Sequence, residues 1–457
     1  MKITKDALIL AQALGSGGGI TPTGNQDIST LAEYDVSTKA TARVSADERA
    51  KIIPENIKKD VEVLGVTGTY SGGGASVPSN DVNFYDYDGT IVYSYSAADF
   101  ANLSAMPANP THEGLTAQGW NWTLSDAKTY VASYGMLDIG QMYITSDGKT
   151  RLYITIAAEV RMSPTIHFSQ TVANGVTIDW GDGSATETVA GTGGKNKSHT
   201  YSAVGDYVIT LNPAEGCTLG LGDGNVGILG LYNTDRVYTN MAKKVEIGGG
   251  VSSLPASAFR IHYSLACITI PDSVTSIGNY AFAESGVRHI TLPSNTTTIG
   301  AYFCHKTYVL KSVSISNGVT AISQHVFENC GVLNRITIPN SALTAEDACF
   351  QGCCALAKIT MPNSMTALGS YALYNCLSLA TIAIPKDIST IKAATFYGCT
   401  GVKVFDFSQH TSVPTLSATS AFSSIASDYQ ILVPSALYDT WKAASNWSTY
   451  ASKIVAV

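Results

Sequence analysis

The chain has 457 residues, of which 45% are hydrophobic and only 14% are charged, and its formal net charge is −7. This acidic balance, without a basic block, argues against a nucleic-acid-binding protein. No apolar run approaches the ~20 residues that a membrane span needs, so we expect neither nucleic acid nor a membrane as a partner.

The first 19 residues predict a short helix and a linker. Residues 15–19 read Gly-Ser-Gly-Gly-Gly, which is typical of a flexible linker. Before them, an apolar stripe with heptad-like spacing of 4, 3 and 4 consists of Ile3, Ala7, Leu10 and Leu14. Two heptads are marginal alone in water, so we expect this stripe to be an assembly element that packs against sister chains. A frayed terminus is the alternative, and Asp6 and Gln12 disfavour a signal peptide.

Residues 20–75 are predicted to form an attachment segment. Pro54 marks a helix start, and Gly65 and Gly68 bound a short Val-Thr strand. The Tyr-Asp-Val at 34–36 and the run from Ile53 to Tyr70 resemble a module of tail-associated proteins of phages of Gram-positive gut bacteria. This resemblance covers about 50 residues and implies docking on a virion.

Residues 76–145 alternate apolar and polar side chains around an Asp88-Gly89 pair, which predicts a hairpin. The order of strand, turn, strand, Pro-x-x-Pro and Gly119-Trp120 resembles the Listeria–Bacteroides repeat, a small β-grasp module of surface proteins. Asp86 and Asp88 could hold a metal ion, but a turn with solvated carboxylates is the favoured interpretation. We therefore expect no metal and no cofactor.

Residues 146–215 contain Asp-Trp-Gly-Asp-Gly-Ser at 179–184 and His-Thr-Tyr at 199–201. These motifs resemble those of polycystic-kidney-disease (PKD) domains, which implies a non-enzymatic β-sandwich that acts as a spacer or an interaction domain. Trp180 is expected in its core, and Gly181 and Gly183 in a tight turn. We expect structural roles for Asp182 and His199.

Residues 216–430 carry an internal repeat. Its strand starts are separated by steps of 23, 22, 23, 23, 23, 23 and 23 residues, at Val245, Ile268, Ile290, Val313, Ile336, Ile359, Ile382 and Phe405. A fixed period of this length predicts a solenoid. The units resemble bacterial leucine-rich repeats of the surface-antigen type, which are found in adhesins and in phage proteins.

Particular residue types recur at fixed positions of the repeat. Proline ends the strands, since it cannot donate to the ladder, and apolar residues recur nine and fourteen positions after each start. Cysteines recur at position seventeen, at Cys330, Cys353, Cys376 and Cys399, where we expect small buried hydrophobes. Disulfides between rungs are not excluded, whereas a zinc site is disfavoured.

Residues 408–430 depart from the period and predict an irregular loop. Residues 431–457 predict a strand and an amphipathic helix that cap the array.

Two outward rows are candidate binding surfaces. Beside the buried strand residues lies a hydroxyl stripe, which includes His289 and Thr291 and carries the basic side chains of Arg335 and Lys358. A second row, twelve residues after each start, consists of Tyr280, Tyr302, His325 and Tyr371. Such surfaces suit carbohydrate or protein contacts; a solvated sheet face with half-buried tyrosines is the alternative.

The whole sequence predicts a mainly β, multidomain protein without an active site, because no nucleotide-binding, metalloprotease or hydrolase motif is present. We expect a phage tail-fibre or baseplate protein, a homo-oligomer whose N-terminus docks on other virion proteins and whose solenoid contacts the host surface. A bacterial surface adhesin is the alternative; it needs an export signal and an anchor, and we recognise neither. A virion decoration or spacer protein is the third.

Overall fold

The computed structural model describes residues 81–157, 162–222, 226–229 and 240–457, together with six short strands before residue 81. The chain divides into two compact units, Met1–Val77 and Pro78–Val457. We describe each unit by itself.

The described strands of the first unit form three pairs. They are β1 (Lys2–Thr4) antiparallel to β3 (Glu33–Asp35), β2 (Asn25–Asp27) parallel to β4 (Thr41–Arg43), and β5 (Glu62–Val63) antiparallel to β6 (Val66–Thr67). The Val-Thr strand expected between Gly65 and Gly68 is confirmed as β6.

The helix predicted at the N-terminus is wrong at Ile3, which lies in β1 and pairs with Tyr34. A helix of two heptads has little intrinsic stability, so strand pairing can displace it. The other residues of the proposed assembly stripe, Ala7, Leu10 and Leu14, lie outside the described residues.

The second unit begins with a segment that we call the mixed-sheet module, residues 81–145. Its elements are β7 (Val82–Tyr85), β8 (Ile91–Tyr95), α1 (Ala97–Ala101), β9 (Leu115–Trp120), α2 (Leu124–Tyr134) and β10 (Leu137–Thr145). The sheet order is β8-β7-β10-β9, and β7 runs parallel to β10. Both helices begin at a hydroxyl cap, Ser96 and Thr123, which accepts a backbone N–H three residues later.

A two-sheet segment follows and merges with the solenoid. Its strands are β11 (Thr150–Ile156), β12 (Thr165–Gln170), β13 (Val176–Asp179), β14 (Glu187–Val189), β15 (Gly193–Ser198), β16 (Gly205–Pro213) and β17 (Leu219–Leu221). The first solenoid strand, β18 (Ala242–Glu246), pairs antiparallel with β11 and parallel with the next rung. The two-sheet segment therefore covers the first end of the solenoid core.

Two parallel ladders build the solenoid. The first continues from β18 through β20 (Cys267–Thr269), β22 (His289–Thr291), β24 (Ser312–Ser314), β26 (Arg335–Thr337), β28 (Lys358–Thr360), β30 (Thr381–Ala383) and β32 (Val404–Asp406). The second consists of β19 (Ser253–Leu254), β21 (Ser276–Ile277), β23 (Thr298–Ile299), β25 (Ala321–Ile322), β27 (Thr344–Ala345), β29 (Ala367–Leu368), β31 (Thr390–Ile391) and β33 (Thr415–Leu416). The predicted rung alignment is confirmed by the pairs Val245–Ile268, Ile290–Val313, Ile336–Ile359 and Ile382–Phe405.

The prediction of an irregular loop at residues 408–430 is wrong. The segment contains β33, which pairs with β31, and a 3₁₀ turn at Thr419–Phe422 that buries Phe422. It is a longer coil of the same solenoid, because its apolar residues still face the core although its spacing differs.

The far end of the core is closed as the sequence predicts. β34 (Gln430–Val433) pairs with β32, and β35 (Ile454–Ala456) pairs with β34. Between them lie α3 (Tyr438–Ala443) and 3₁₀ turns at Ser435–Leu437 and Trp447–Tyr450. Trp441 and Trp447 are fully buried, so their indoles cover the hydrophobic core at the last rung.

Candidate recognition surfaces

The mixed-sheet module covers the strand face of the early rungs. The ring of Tyr85 stacks on His289, with 4.9 Å between the centroids. Gly140, in the middle of β10, lies so close to Thr291 that a Cβ there would collide with its side chain. The outward positions of His289 and Thr291 in the repeat predict an open stripe. This is wrong, because both are buried under the module.

Side chains of the module also bind backbone carbonyls at or just after the ends of the solenoid strands. The amide of Asn121 donates to the carbonyls of Leu292 (2.9 Å) and Ser314 (3.1 Å). The indole of Trp122 donates to the carbonyl of Ile315 (2.8 Å), and the hydroxyl of Tyr130 donates to that of Ile338 (2.6 Å). Three successive rungs are thus held by residues about 200 positions earlier in the sequence.

Arg335 is the central polar contact of this interface. Its Nε lies 3.0 Å from Asp138 Oδ2, and its Nη2 lies 2.9 Å from Asp138 Oδ1 and donates to the carbonyl of Asp81 at 2.9 Å. The side chains of Arg335 and Asp138 are 1% and 0% exposed. The expectation that Arg335 contacts an outside ligand therefore needs correction, because its guanidinium is enclosed and paired.

Lys358, on the next rung, lies where the strand face becomes open. Its side chain is exposed, and its Nζ is 4.0 Å from Asp81 Oδ1 at the edge of the module. The neighbouring Thr381 of β30 is exposed as well. Of the two basic residues expected on the outward stripe, Arg335 thus makes an internal contact and Lys358 is accessible.

The second predicted row is a stack of rings, which we call the turn-side row: Tyr280, Tyr302 and His325. The ring centroids of Tyr280 and Tyr302 are 4.6 Å apart, and those of Tyr302 and His325 are 4.5 Å apart. All three residues have left-handed backbone, with φ between 55° and 60°. The guanidinium of Arg260 lies 4.5 Å from the ring centroid of Tyr280 and covers that end of the stack.

The stack is interrupted at the next rung, where Ala348 replaces a ring. Tyr371 follows at the same repeat position and is exposed, and its ring is tilted against Tyr374, which stacks on Tyr397 at 4.9 Å. Tyr280, Tyr302 and His325 are half-buried, as the alternative interpretation of the row expected, and the three stacked rings use their faces on one another. They offer edges, hydroxyls and an imidazole to a partner.

Two residues of this surface were missed from the sequence, His305 and Glu328. Glu328 Oε2 lies 2.7 Å from His325 Nδ1 and 3.0 Å from His305 Nδ1. Burial lowers the pKa of His305 while Glu328 opposes the shift. The signal was available, because both residues occupy position fifteen of their repeats.

A shallow polar pocket of ≈ 290 Å³ lies nearby on the second ladder. Its polar lining includes Gln324, Glu346, Asp347 and Lys392, and the Nζ of Lys392 is 3.6 Å from Asp347 Oδ1. Glu346 accepts the backbone N–H of Gln324 at 3.0 Å. Its amide, carboxylate and ammonium groups suit hydrogen bonding to a small polar ligand.

The other candidate groups have structural partners. Asp86 Oδ2 is 2.7 Å from His112 Nε2, and Asp182 Oδ2 is 2.7 Å from His199 Nε2. Where the structure describes the chain, no group of three His, Cys, Asp or Glu side chains could hold a metal ion. Helices long and apolar enough to cross a membrane are likewise absent from those residues.

The cysteines of the ladder are buried and unpaired. The thiols of Cys330, Cys353, Cys376 and Cys399 each lie 3.0–3.2 Å from a backbone carbonyl of the preceding rung. Burial raises the pKa of these thiols. Cys354 is exposed, so the Cys349–Cys353–Cys354 cluster does not converge on one site.

The repeats match a known family. The family model of the BspA type leucine rich repeat region matches residues 236–353 and 322–439, with six copies. The solenoid is built of BspA-type leucine-rich repeats. A search of curated proteins finds no match to the chain.

Solved structures of leucine-rich repeat proteins show partial similarity. A leucine-rich repeat protein from Bacteroides ovatus is 24% identical, with a TM-score of 0.35, over 42% of this chain and 54% of that one. One from Eubacterium ventriosum is 28% identical, with a TM-score of 0.32, over 37% and 44%. A leucine rich cell surface protein from Faecalibacterium prausnitzii is 24% identical, with a TM-score of 0.31, over 46% and 62%. The chain spans less than two thirds of the length of each.

Proposed function

We propose that this chain is a non-enzymatic recognition protein that binds a carbohydrate or a protein on a cell surface through the turn side of its solenoid. The observation that carries the proposal is the division of the solenoid surface: the module occupies the early strand face, whereas the turn-side row stays accessible. Tyrosine and histidine combine apolar rings with polar tips, as binding surfaces commonly do. The BspA-type repeats supply a rigid scaffold for such a surface.

Binding of the labelled full chain to a glycan array and to intact cells tests this proposal. The triple variant Tyr280→Ser, Tyr302→Ser, His325→Ser should lose most of the binding. Leu343→Ser, which changes an exposed side chain elsewhere on the solenoid, is the matched control and should bind normally. If the triple variant bound as the unmodified chain does, the turn-side row would not be the recognition surface.

Tyr371 extends the proposed turn-side surface to a later rung, and Lys358 lies on the open part of the strand face. Both are exposed, and a ligand longer than three rungs would reach Tyr371. Lys358→Ser and Tyr371→Ser should each weaken binding less than the triple variant does. If either single variant lost as much binding as the triple variant does, the binding site would lie on the open half of the solenoid instead.

Two settings fit this recognition role. The N-terminal sequence patterns favour a phage virion, with the PKD-like and β-grasp-like segments as rigid spacers, whereas the repeat type favours a bacterial surface adhesin. Mass spectrometry of purified particles and protease shaving of intact cells distinguish the two. A decoration role without receptor binding would leave host attachment unchanged in the triple variant.

The N-terminal stripe and homo-oligomerisation belong to the same proposal. Light scattering of the full chain should give a defined oligomer, and a chain that begins at Ala75 should give a monomer. If both were monomers, the remaining residues of the predicted stripe, Ala7, Leu10 and Leu14, would not be a self-association element.

A further inference from the structure

The edge of the solenoid that precedes the strands carries an exposed apolar ridge. Of the eleven exposed large apolar side chains in the described part of the chain, five lie eighteen or nineteen positions after a strand start: Tyr263, Tyr308, Val309, Val332 and Leu377. They are 41% to 60% exposed. Isolated exposed apolar residues are normal on a protein, but a row of them marks an interaction surface.

The repeat aligns these side chains in space. Tyr308, Val309, Val332 and Leu377 fall on rungs 290, 313 and 359, and the exposed Cys354 fills the rung between the last two. Rungs in a parallel ladder are ~4.8 Å apart. These residues therefore form a nearly continuous line over four rungs, and Tyr263 lies two rungs earlier.

The charges beside the ridge have one sign. In the repeats that start at Val245 to Ile382, the segments from position seventeen to the first residue of the next strand contain Arg288, Lys311, Arg335, Lys358 and Lys403, and no Asp or Glu, in a chain whose net charge is −7; Asp428 lies in the segment after the last repeat, beyond the ridge. Arg335 is turned into the module and Lys403 is paired with Asp428. Arg288 and Lys311 are exposed on adjacent rungs, which are joined by the hydrogen bond from the N–H of Lys311 to the carbonyl of Arg288 at 2.8 Å.

The module leaves this edge uncovered. Its hydrogen bonds reach residues that follow the strands, such as Leu292, Ile315 and Ile338, whereas the ridge precedes the strands. The ridge also lies apart from the turn-side row, which is six to seven positions earlier in each repeat.

We propose that the apolar ridge docks the protein on an anionic lipid bilayer. Tyrosine, valine and leucine side chains on a narrow exposed line can enter the headgroup region without a complementary pocket. Arg288 and Lys311 supply attraction to anionic headgroups, worth about fivefold in affinity for each cation. A second copy of the same edge is a poor partner, because the cations of two copies would face each other.

This docking is peripheral and differs from the sequence expectation of no membrane contact. That expectation rested on the lack of an apolar run long enough to span a bilayer. A ridge becomes visible only when residues 23 positions apart are placed side by side. The proposal is independent of ligand binding by the turn-side row.

Co-sedimentation of the full chain with two kinds of vesicles tests the proposal. The chain should bind vesicles of phosphatidylcholine mixed with phosphatidylglycerol and should bind vesicles of phosphatidylcholine alone weakly. Added salt should weaken the binding to the mixed vesicles. No binding to the mixed vesicles, or equal binding to both kinds, overturns the proposal.

Two variants and their controls locate the binding. The ridge variant Tyr308→Ser, Val332→Ser, Leu377→Ser should lose most of the binding. The double variant Arg288→Ser, Lys311→Ser should weaken the binding by more than tenfold, because each cation contributes about fivefold in affinity. Leu343→Ser and the pair Lys386→Ser with Lys392→Ser change equally exposed side chains at other repeat positions. The proposal fails if these controls lose as much binding as the ridge variants do.

Discussion

His289 is a buried histidine, and its imidazole is neutral in the folded protein. Its Nδ1 lies 2.7 Å from the hydroxyl of Ser312 and its Nε2 lies 3.0 Å from that of Thr291. Burial lowers its pKa from 6.5 to about 3. Between these values the unfolded chain binds the proton and the folded chain does not, so stability falls as the pH falls through this window.

We expect the free energy of unfolding to decrease by about 1 to 2 kcal/mol from His289 alone between about pH 7 and about pH 5. Urea titrations at both values measure it. His289→Gln should reduce the pH dependence by that amount; a remainder should persist, because burial also lowers the pKa of His262 to about 4. An unchanged pH dependence in His289→Gln would contradict the assignment.

Cys354 differs from the cysteines of the buried ladder in reactivity. A thiol reacts as its thiolate and only where a reagent reaches it. Cys304, Cys330, Cys349 and Cys376 are buried, and burial raises their pKa well above the usual value. A disulfide reagent should therefore modify one thiol quickly in the native protein, and Cys354→Ser should remove that fast phase. Fast modification of several thiols would mean that the solenoid opens readily.

The contact between β10 and β26 depends on the Arg335–Asp138 pair. Removing one partner of a buried pair leaves an uncompensated charge and costs about 3–5 kcal/mol. Asp138→Ala and Arg335→Ala should each lower the free energy of unfolding by that amount. The exposed pair of Lys403 and Asp428, 2.7 Å apart, is the matched control, and its loss should cost no more than about 1 kcal/mol.

A double substitution separates pairing from packing at this contact. Asp138→Leu with Arg335→Met removes both charges and should recover much of the stability that either alanine variant loses. Equilibrium denaturation of the set forms a double-mutant cycle. Additive losses would show that Arg335 and Asp138 do not act as a pair.

The strand pairing of the solenoid was predictable because the repeat is local. The spacing of Ile268, Ile290 and Ile336 identifies them as strand residues, and the residue one period later lies at the same position of the next rung. The docking of β10 was not predictable, because Asp138 and Arg335 are 197 residues apart and the repeat period aligns Arg335 only with residues of the solenoid. The turn-side row was visible as residue types at one position. Its stacking was not, because it depends on the left-handed backbone of Tyr280, Tyr302 and His325.

The solenoid core continues from the two-sheet segment to the C-terminal cap without a break. One cluster of buried side chains extends from Leu152 to Ile454, and the first and last rungs are covered by different elements. In a stacked array each repeat is stabilised by its neighbours, so an end that loses its cover opens from that end. The two covers are therefore expected to protect different halves of the molecule.

Trp447 tests this expectation at the C-terminal end. Its indole is fully buried, donates to the carbonyl of Pro414 at 2.7 Å, and packs on Phe407 and Phe422. Trp447→Ala should cost about 3–5 kcal/mol locally. Hydrogen exchange followed by mass spectrometry should show the largest loss of protection in β30 to β35, a smaller loss toward β26, and none in β11 to β16. Uniform loss along the whole unit would instead mean that the solenoid and the two-sheet segment unfold together.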